Sequence, residues 1–216
     1  MEIITVVLFS YLSGSIPFGL ILTKLFSGQD VRKIGSGNIG ATNVLRTGNK
    51  YLAVITLILD ILKGYAPVVI TQQFFPEYLQ LSALMAFLGH IFPIWLKFKG
   101  GKGVATYLGI LFALSYGLSV LFIFTWIVVS LIFKYSSLSS MFSSLTVLVV
   151  TLFRENAVKA IDPNFVFAAD IKLLLFIFLI LIIYTHKKNP QADIGRGGSR
   201  RPQTLHKRGV MVPPRN

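Results

Sequence analysis

The sequence predicts an all-α, polytopic membrane helix bundle of about seven transmembrane helices, with the N-terminus outside and the C-terminus cytoplasmic. Three observations carry that expectation. Of 216 residues, 54% are hydrophobic and 13% charged, with a mean hydropathy of +0.70. That is more apolar material than the core of a water-soluble domain needs. Apolar runs recur at lengths suited to a bilayer crossing, which takes about 20 residues. Finally, the cations gather on alternate connections between those runs.

In chain order, the first run, 3–25, lacks a basic leading segment and contains Ser10, Ser13 and Ser15, so it reads as a retained helix rather than a cleavable signal. The second, 51–75, carries Asp60 and Lys63 at i and i+3, where each neutralises a charge the other could not leave alone in lipid. Whether that pair is structural or catalytic is open on spacing alone. The third is 79–96. A single helix over 104–133 would overrun a bilayer core of about 30 Å at about 1.5 Å per residue. Tyr116-Gly117 offers a break, giving spans 104–116 and 118–133. Spans 138–153 and 165–184 complete the set.

With seven crossings, Lys24, Arg32, Lys33, Arg46, Lys50, Lys97, Lys99, Lys102, Lys134 and the basic tail share one face. The opposite face receives Arg154, Lys159 and Lys172. Cations mark the cytoplasmic side, which sets the orientation and accounts for the net charge of +13 without nucleic acid as a partner. Residues 1–189 read as one membrane-embedded domain. Residues 190–216, rich in Gly, Pro, Arg and Lys, read as a mobile cytoplasmic tail suited to anionic headgroups. There is no Cys, which excludes disulfides, zinc–thiolate sites and thiol nucleophiles.

Three segments on the predicted cytoplasmic face interrupt the apolar pattern. In G-S-G-N-I-G-A-T-N at 35–43, glycines let backbone approach an anion, and Ser36, Asn38, Thr42 and Asn43 add polar groups. Gly35, Gly37 and Gly40 spell G-x-G-x-x-G, but no strand precedes them and no dinucleotide fold can surround them. Arg46 lies three residues past Asn43, on the same face of a helix, and suits bidentate phosphate contact. In K-G-G-K-G-V-A-T at 99–106, Lys99 and Lys102 bracket glycines just before an apolar helix, so free backbone amides and an ammonium would point one way. The Walker A order is missing, so no ATP is inferred. In T-H-K-K-N at 185–189, His186 can exchange a proton near neutral pH and Asn189 can orient a substrate. Each segment also has a plainer reading, as capped loops and headgroup anchors. His90 reads as a packed residue of the third span, and the Y-S-S-L-S-S run at 135–140 as a helix cap. Eight scattered carboxylates and three His form no ligand set, so no metal is expected.

Taken in order, G-S-I-P-F-G at 14–19, G-S-G-N-I-G-A-T-N-V-L-R at 35–46, L-D-I-L-K-G at 59–64, G-H-I-F-P at 89–93, K-F-K-G-G-K-G-V-A-T at 97–106 and H-x-x-N at 186–189 resemble the bacterial acyl-phosphate:glycerol-3-phosphate acyltransferases, the PlsY family. The resemblance runs through nearly the whole chain to Asn189. It implies a seven-helix inner-membrane enzyme, with its site at the cytoplasmic face and no cofactor. That enzyme moves a fatty acyl group from acyl phosphate to sn-glycerol 3-phosphate, giving 1-acyl-glycerol 3-phosphate and phosphate in the first step of phospholipid synthesis. The bilayer, and the soluble enzyme that makes acyl phosphate, are its implied partners. Carried over by position, Ser36, Arg46, Lys102, His186 and Asn189 are the implied catalytic residues. Gly37, Asn38, Thr42, Asn43, Gly100, Gly101, Gly103 and Ser140 are the implied substrate contacts, with the glycine loop on glycerol phosphate. The chain departs from the family after His186, reading H-K-K-N-P-Q-A-D where members usually continue H-R-E-N-I with a later Glu.

Acyl phosphate is a mixed anhydride with a good leaving group, so positioning and charge stabilisation can carry the reaction. Direct attack by the glycerol C1 hydroxyl is the expected route, with His186 or the donor phosphate taking the proton. The H-x-x-x-x-D motif of thioester-dependent acyltransferases is absent, as is the D-x-x-D-G-x-x-A-R array of metal-assisted head-group transfer. A permease for a phosphorylated anion is the rival reading, though transporters bind cargo near the midplane rather than at one face.

Overall fold

A computed structural model describes residues 1–161 and 170–187, and among these every regular element is helical. The expected first span is two helices, α1 (Glu2–Ser15) and α2 (Phe18–Ser27). Pro17 causes the break, because its ring disfavours helical backbone at the preceding residue; Ile16 sits at φ −64°, ψ 117°. α2 ends at Gly28 in the left-handed region, φ 63°. A short turn of helix, α3 (Ala41–Val44), leads to α4 (Lys50–Phe74), capped by the Asn49 side chain accepting from the Leu52 N–H.

α5 (Leu79–Ile91) is shorter than the predicted third span, since the chain turns at Phe92-Pro93. α6 (Val104–Leu114) and α7 (Tyr116–Phe133) separate at Ser115, just before the predicted Tyr116-Gly117 break. There the Ser115 side chain caps α7 through the Leu118 N–H. α8 (Ser136–Ile161) and α9 (Lys172–Lys187) complete the described helices. Five described segments are long and apolar enough to cross a membrane: Glu2–Ser27, Lys50–Phe74, Pro76–Leu96, Tyr116–Phe133 and Ser136–Arg154. α6, with 11 residues, and α9, with 16 described residues, are shorter than a full crossing.

Lipid tails are as apolar as side chains, so helices in a bilayer associate through close backbone approach and polar contacts. α1 meets α5 in this way: Gly14 lies on the Ala86 carbonyl and Gly89 on the Tyr11 carbonyl, leaving no room for a Cβ at either. The Ser10 and Ser82 hydroxyls meet at 2.8 Å, Tyr11 Oη donates to the Phe92 carbonyl at 2.7 Å, and Trp95 Nε1 donates to Ser15 Oγ at 2.8 Å. α4 meets α6 through Gly64 on the Thr106 carbonyl and Gly109 on the Ile61 carbonyl.

A large core gathers around Phe87, Tyr107, Phe122 and Phe178, where α5, α6, α7 and α9 meet. A smaller one, Leu20, Val31, Ile39, Val44, Leu52 and Ala53, lies under the connection from α2 to α4 and seats it on both helices.

Candidate active site

The 35–43 loop folds around one side chain. Asn43 is buried, and its Oδ1 accepts the Ser36 N–H at 3.0 Å. Its Nδ2 faces three carbonyls, those of Val31 at 2.9 Å, Ile34 at 3.0 Å and Asn38 at 2.7 Å. The Asn38 side chain in turn accepts the Gly40 N–H at 2.9 Å. Gly35 and Gly37 occupy the left-handed region, φ 52° and 69°, which a side chain would strain. The Arg46 guanidinium packs against Gly35, so the arginine and the loop form one unit. Nearby, Arg32 grips the Asp30 carboxylate at 2.9 Å through Nε and 2.6 Å through Nη2. That hydrogen bonding holds Asp30 well below the usual carboxylate range.

The glycine loop is built on the end of α5. Gly100 N–H donates to the Ile91 carbonyl and Gly101 N–H to the His90 carbonyl, each at 3.1 Å. These are carbonyls that a helix C-terminus leaves without intrahelical partners. A Cβ at Gly100 would enter the His90 carbonyl, and one at Gly101 would enter the His90 ring at Nε2. His90 is itself buried, with Nδ1 3.0 Å from Thr106 Oγ1. Gly103, φ 84°, packs on the Phe87 ring and opens α6, whose first turn carries no side-chain cap. The positive end of that helix dipole therefore begins directly beyond Lys102.

The end of α9 supplies the third wall. The single Thr185 Oγ1 proton is shared between the Ile182 carbonyl at 2.9 Å and the Lys102 carbonyl at 3.2 Å. His186 is buried, with Nδ1 2.7 Å from the Ile182 carbonyl. A carbonyl only accepts, so Nδ1 carries the proton of the neutral ring and Nε2 is its basic nitrogen.

Between these walls lies a cleft of about 170 Å³. Its lining combines polar and cationic residues, Gly37, Asn38, Lys99, Gly100, Gly101 and Lys102, with the apolar Ile91, Phe92, Phe98 and Tyr184. A phosphate and an alkyl chain on the same molecule match that combination. Three segments far apart in sequence thus meet at one end of the bundle.

Several expected contacts take other places. The Asn43 amide is occupied by backbone, so it shapes the loop rather than facing the cleft. The amides of Gly100 and Gly101 are bonded to α5, so these glycines contribute close approach and not free donors. Ser140, expected at the substrate, is buried between helices: it donates to the Ser136 carbonyl at 2.8 Å and receives Trp126 Nε1 at 3.3 Å. Thr42 lies on α3, and Gly103 lies beneath the loop against Phe87. Ser36 and Arg46 flank Gly37 and Gly35, and His186 comes directly after the cleft residue Thr185. Asn189 lies outside the described residues. Sequence reasoning overlooked Phe92, Phe98 and Tyr184, although each is within or adjacent to a motif. It also took Thr185 only as a motif boundary.

A family model described as Glycerol-3-phosphate acyltransferase matches residues 4–194 of the chain. The chain belongs to this acyltransferase family. A Glycerol-3-phosphate acyltransferase of Pelagibacter ubique (strain HTCC1062) is 53% identical over 189 residues, 88% of this chain and 92% of that protein. One of Mesorhizobium japonicum is 47% identical over 187 residues, 87% of this chain and 90% of that protein. Among solved structures, the glycerol 3-phosphate form of PlsY, an integral membrane glycerol 3-phosphate acyltransferase, aligns with a TM-score of 0.77 at 34% identity. That alignment covers 87% of this chain and 90% of the other. The lysophosphatidic acid form of PlsY aligns with a TM-score of 0.75. The acyltransferase family resemblance seen in the motifs therefore extends to the arrangement of the helices.

Proposed function

We propose that this chain transfers a fatty acyl group from acyl phosphate to the C1 hydroxyl of sn-glycerol 3-phosphate, at the cytoplasmic face of a bacterial plasma membrane. The observation that carries this reading is the cleft itself, whose lining holds two lysines and three glycines together with aromatic side chains. The solved relatives named for glycerol 3-phosphate and lysophosphatidic acid forms fit it as acceptor and product.

In this reading the acceptor oxygen bonds to the acyl carbon, the anhydride C–O bond breaks, and phosphate leaves with the electron pair. Lys99, Lys102 and Arg46 balance the phosphate charges, aided by the positive end of α6. Ser36, held by the Asn43 framework, orients the donor, and Asn189 fixes the acceptor. Nε2 of His186 takes the hydroxyl proton. The glycines let the loop pack tightly on His90 and Phe87, which fixes Lys99 and Lys102 over the substrates, and the reacting atoms come together without an acyl-enzyme step.

The test uses the full chain purified in detergent. Phosphate release from acyl phosphate that requires glycerol 3-phosphate, and that acyl-CoA cannot replace as donor, is the expected result. Release independent of glycerol 3-phosphate, or transport of the anion without acyl transfer, rejects the reading.

A further inference from the structure

The buried ion pair of α4 does not line the cleft, yet it places two charged side chains in the apolar interior. Asp60 and Lys63 are 2% and 5% exposed, and Lys63 Nζ stands 2.8 Å from Asp60 Oδ1. Charged groups in a membrane helix are costly and persist where they satisfy a partner. Here the ammonium has a second target. It donates at 2.7 Å to the carbonyl of Ile16, 47 positions earlier in the chain, and lies 5.7 Å from the centre of the Phe18 ring. Ile16 is the residue at which Pro17 breaks the first span, so Lys63 grips the α1–α2 junction itself.

Directly beyond that junction, α2 forms the seat of the 35–43 loop. Gly19, in the first turn of α2, lies on the Ile39 carbonyl with no room for a Cβ, which would also crowd the Thr56 methyl of α4. Leu20 of α2 joins Val31, Ile39, Val44, Leu52 and Ala53 in the small core under the loop. The path from Lys63 to the loop is therefore continuous packed matter: Ile16 carbonyl, α2, Ile39, then the frame tied by Asn43.

We propose that Lys63, neutralised by Asp60, is a positioning residue of the acyl-transfer site, which fixes the α1–α2 junction and through it the 35–43 loop and Arg46. The proposal rests on the acyl-transfer reading above for its consequence in catalysis, and not for its consequence in loop order.

The experiment uses the full chain in detergent, with Lys63→Met and Asp60→Asn made together so that no charge is stranded. Amide hydrogen exchange over residues 18–27 and 35–43, thermal midpoint, and kcat and KM for each substrate are measured. The expected result is a folded protein with faster exchange in both segments. Its kcat/KM falls on the order of 10- to 100-fold, as a small misplacement of substrate-holding groups produces. A folded double variant with wild-type exchange in 35–43 and wild-type kcat/KM overturns the proposal. If the double variant does not fold, Lys63→Gln with Asp60→Asn decides, because two neutral amides can satisfy each other in the interior while the shorter Gln side chain gives up the Ile16 carbonyl. Faster exchange in 35–43 then supports the proposal, and wild-type exchange there overturns it. Exchange needs no substrate, so a wild-type protein inactive on acyl phosphate and glycerol 3-phosphate would sink the acyl-transfer reading and leave this result standing.

Discussion

Gly101 rests on the imidazole of His90, so closely that a methyl group at 101 would occupy the position of Nε2. The ring cannot retreat readily, because it is buried and its Nδ1 lies 3.0 Å from Thr106 Oγ1. Gly101→Ala should therefore displace the glycine loop, at a cost of about 1–3 kcal/mol for overpacking. Steady-state kinetics should register this as a KM for glycerol 3-phosphate raised about tenfold or more, as such a misplacement produces, in protein that still purifies as a monodisperse species.

Asn43 gives a sharper test, because its two ends do opposite jobs. Asn43→Asp keeps the shape but turns a donor facing three carbonyls into an acceptor. Asn43→Ala removes both ends, and each buried polar group left unsatisfied costs about 1–3 kcal/mol. Both variants should lose most of their activity, with Asp no better than Ala. An active Asn43→Asp protein would contradict the framework role.

Lys102 should act mainly on phosphate. Lys102→Ala is expected to lower kcat/KM by on the order of 100-fold, while Lys102→Arg keeps the charge and recovers part of it. Raising salt should weaken binding in the wild-type protein more than in Lys102→Ala, which is read from KM across an ionic-strength series.

For His186, Nδ1 is engaged by the Ile182 carbonyl, and the proposed mechanism assigns Nε2 as the proton acceptor. His186→Ala is expected to reduce kcat by about 10²–10⁴. Near-wild-type turnover of His186→Ala would transfer the proton to the donor phosphate instead.

Outside the cleft, Gly109 has no room for a side chain against the Ile61 carbonyl. Gly109→Val should wedge α4 from α6, lower the thermal midpoint and reduce the yield of folded protein, leaving the kinetic constants of the surviving fraction near wild type.

Much of this was legible from residue type and order. Periodic apolar runs located the long helices, and the meeting of the three polar segments came from counting crossings. The roles of individual polar side chains were not legible. Nothing in G-S-G-N-I-G-A-T-N says that Asn43 turns inward to its own backbone while Asn38 lines the cleft. Both are Asn close to Gly, and long-range packing on Val31 and Ile34 decides between them. Ser140 is likewise expected as a ligand and the 135–140 run as a cap, yet Ser139 and Ser140 behave like Ser143 and Ser144 further along α8. They prove to be small buried residues, each donating to the carbonyl four positions back in the chain. The break at Pro17 went unread, since 3–25 is apolar enough to pass for one helix, and nothing in the sequence tied Lys63 to the Ile16 carbonyl.

The Thr185 hydroxyl on the Lys102 carbonyl, 83 positions away, joins the last described helix to the middle of the chain. The glycine contacts of Gly14, Gly64, Gly89 and Gly109 lie wholly among earlier helices, whereas Tyr184, Thr185 and the Phe178 ring come from α9. A chain cut short before α9 would therefore keep its close helix crossings and lose both a wall of the pocket and part of the core.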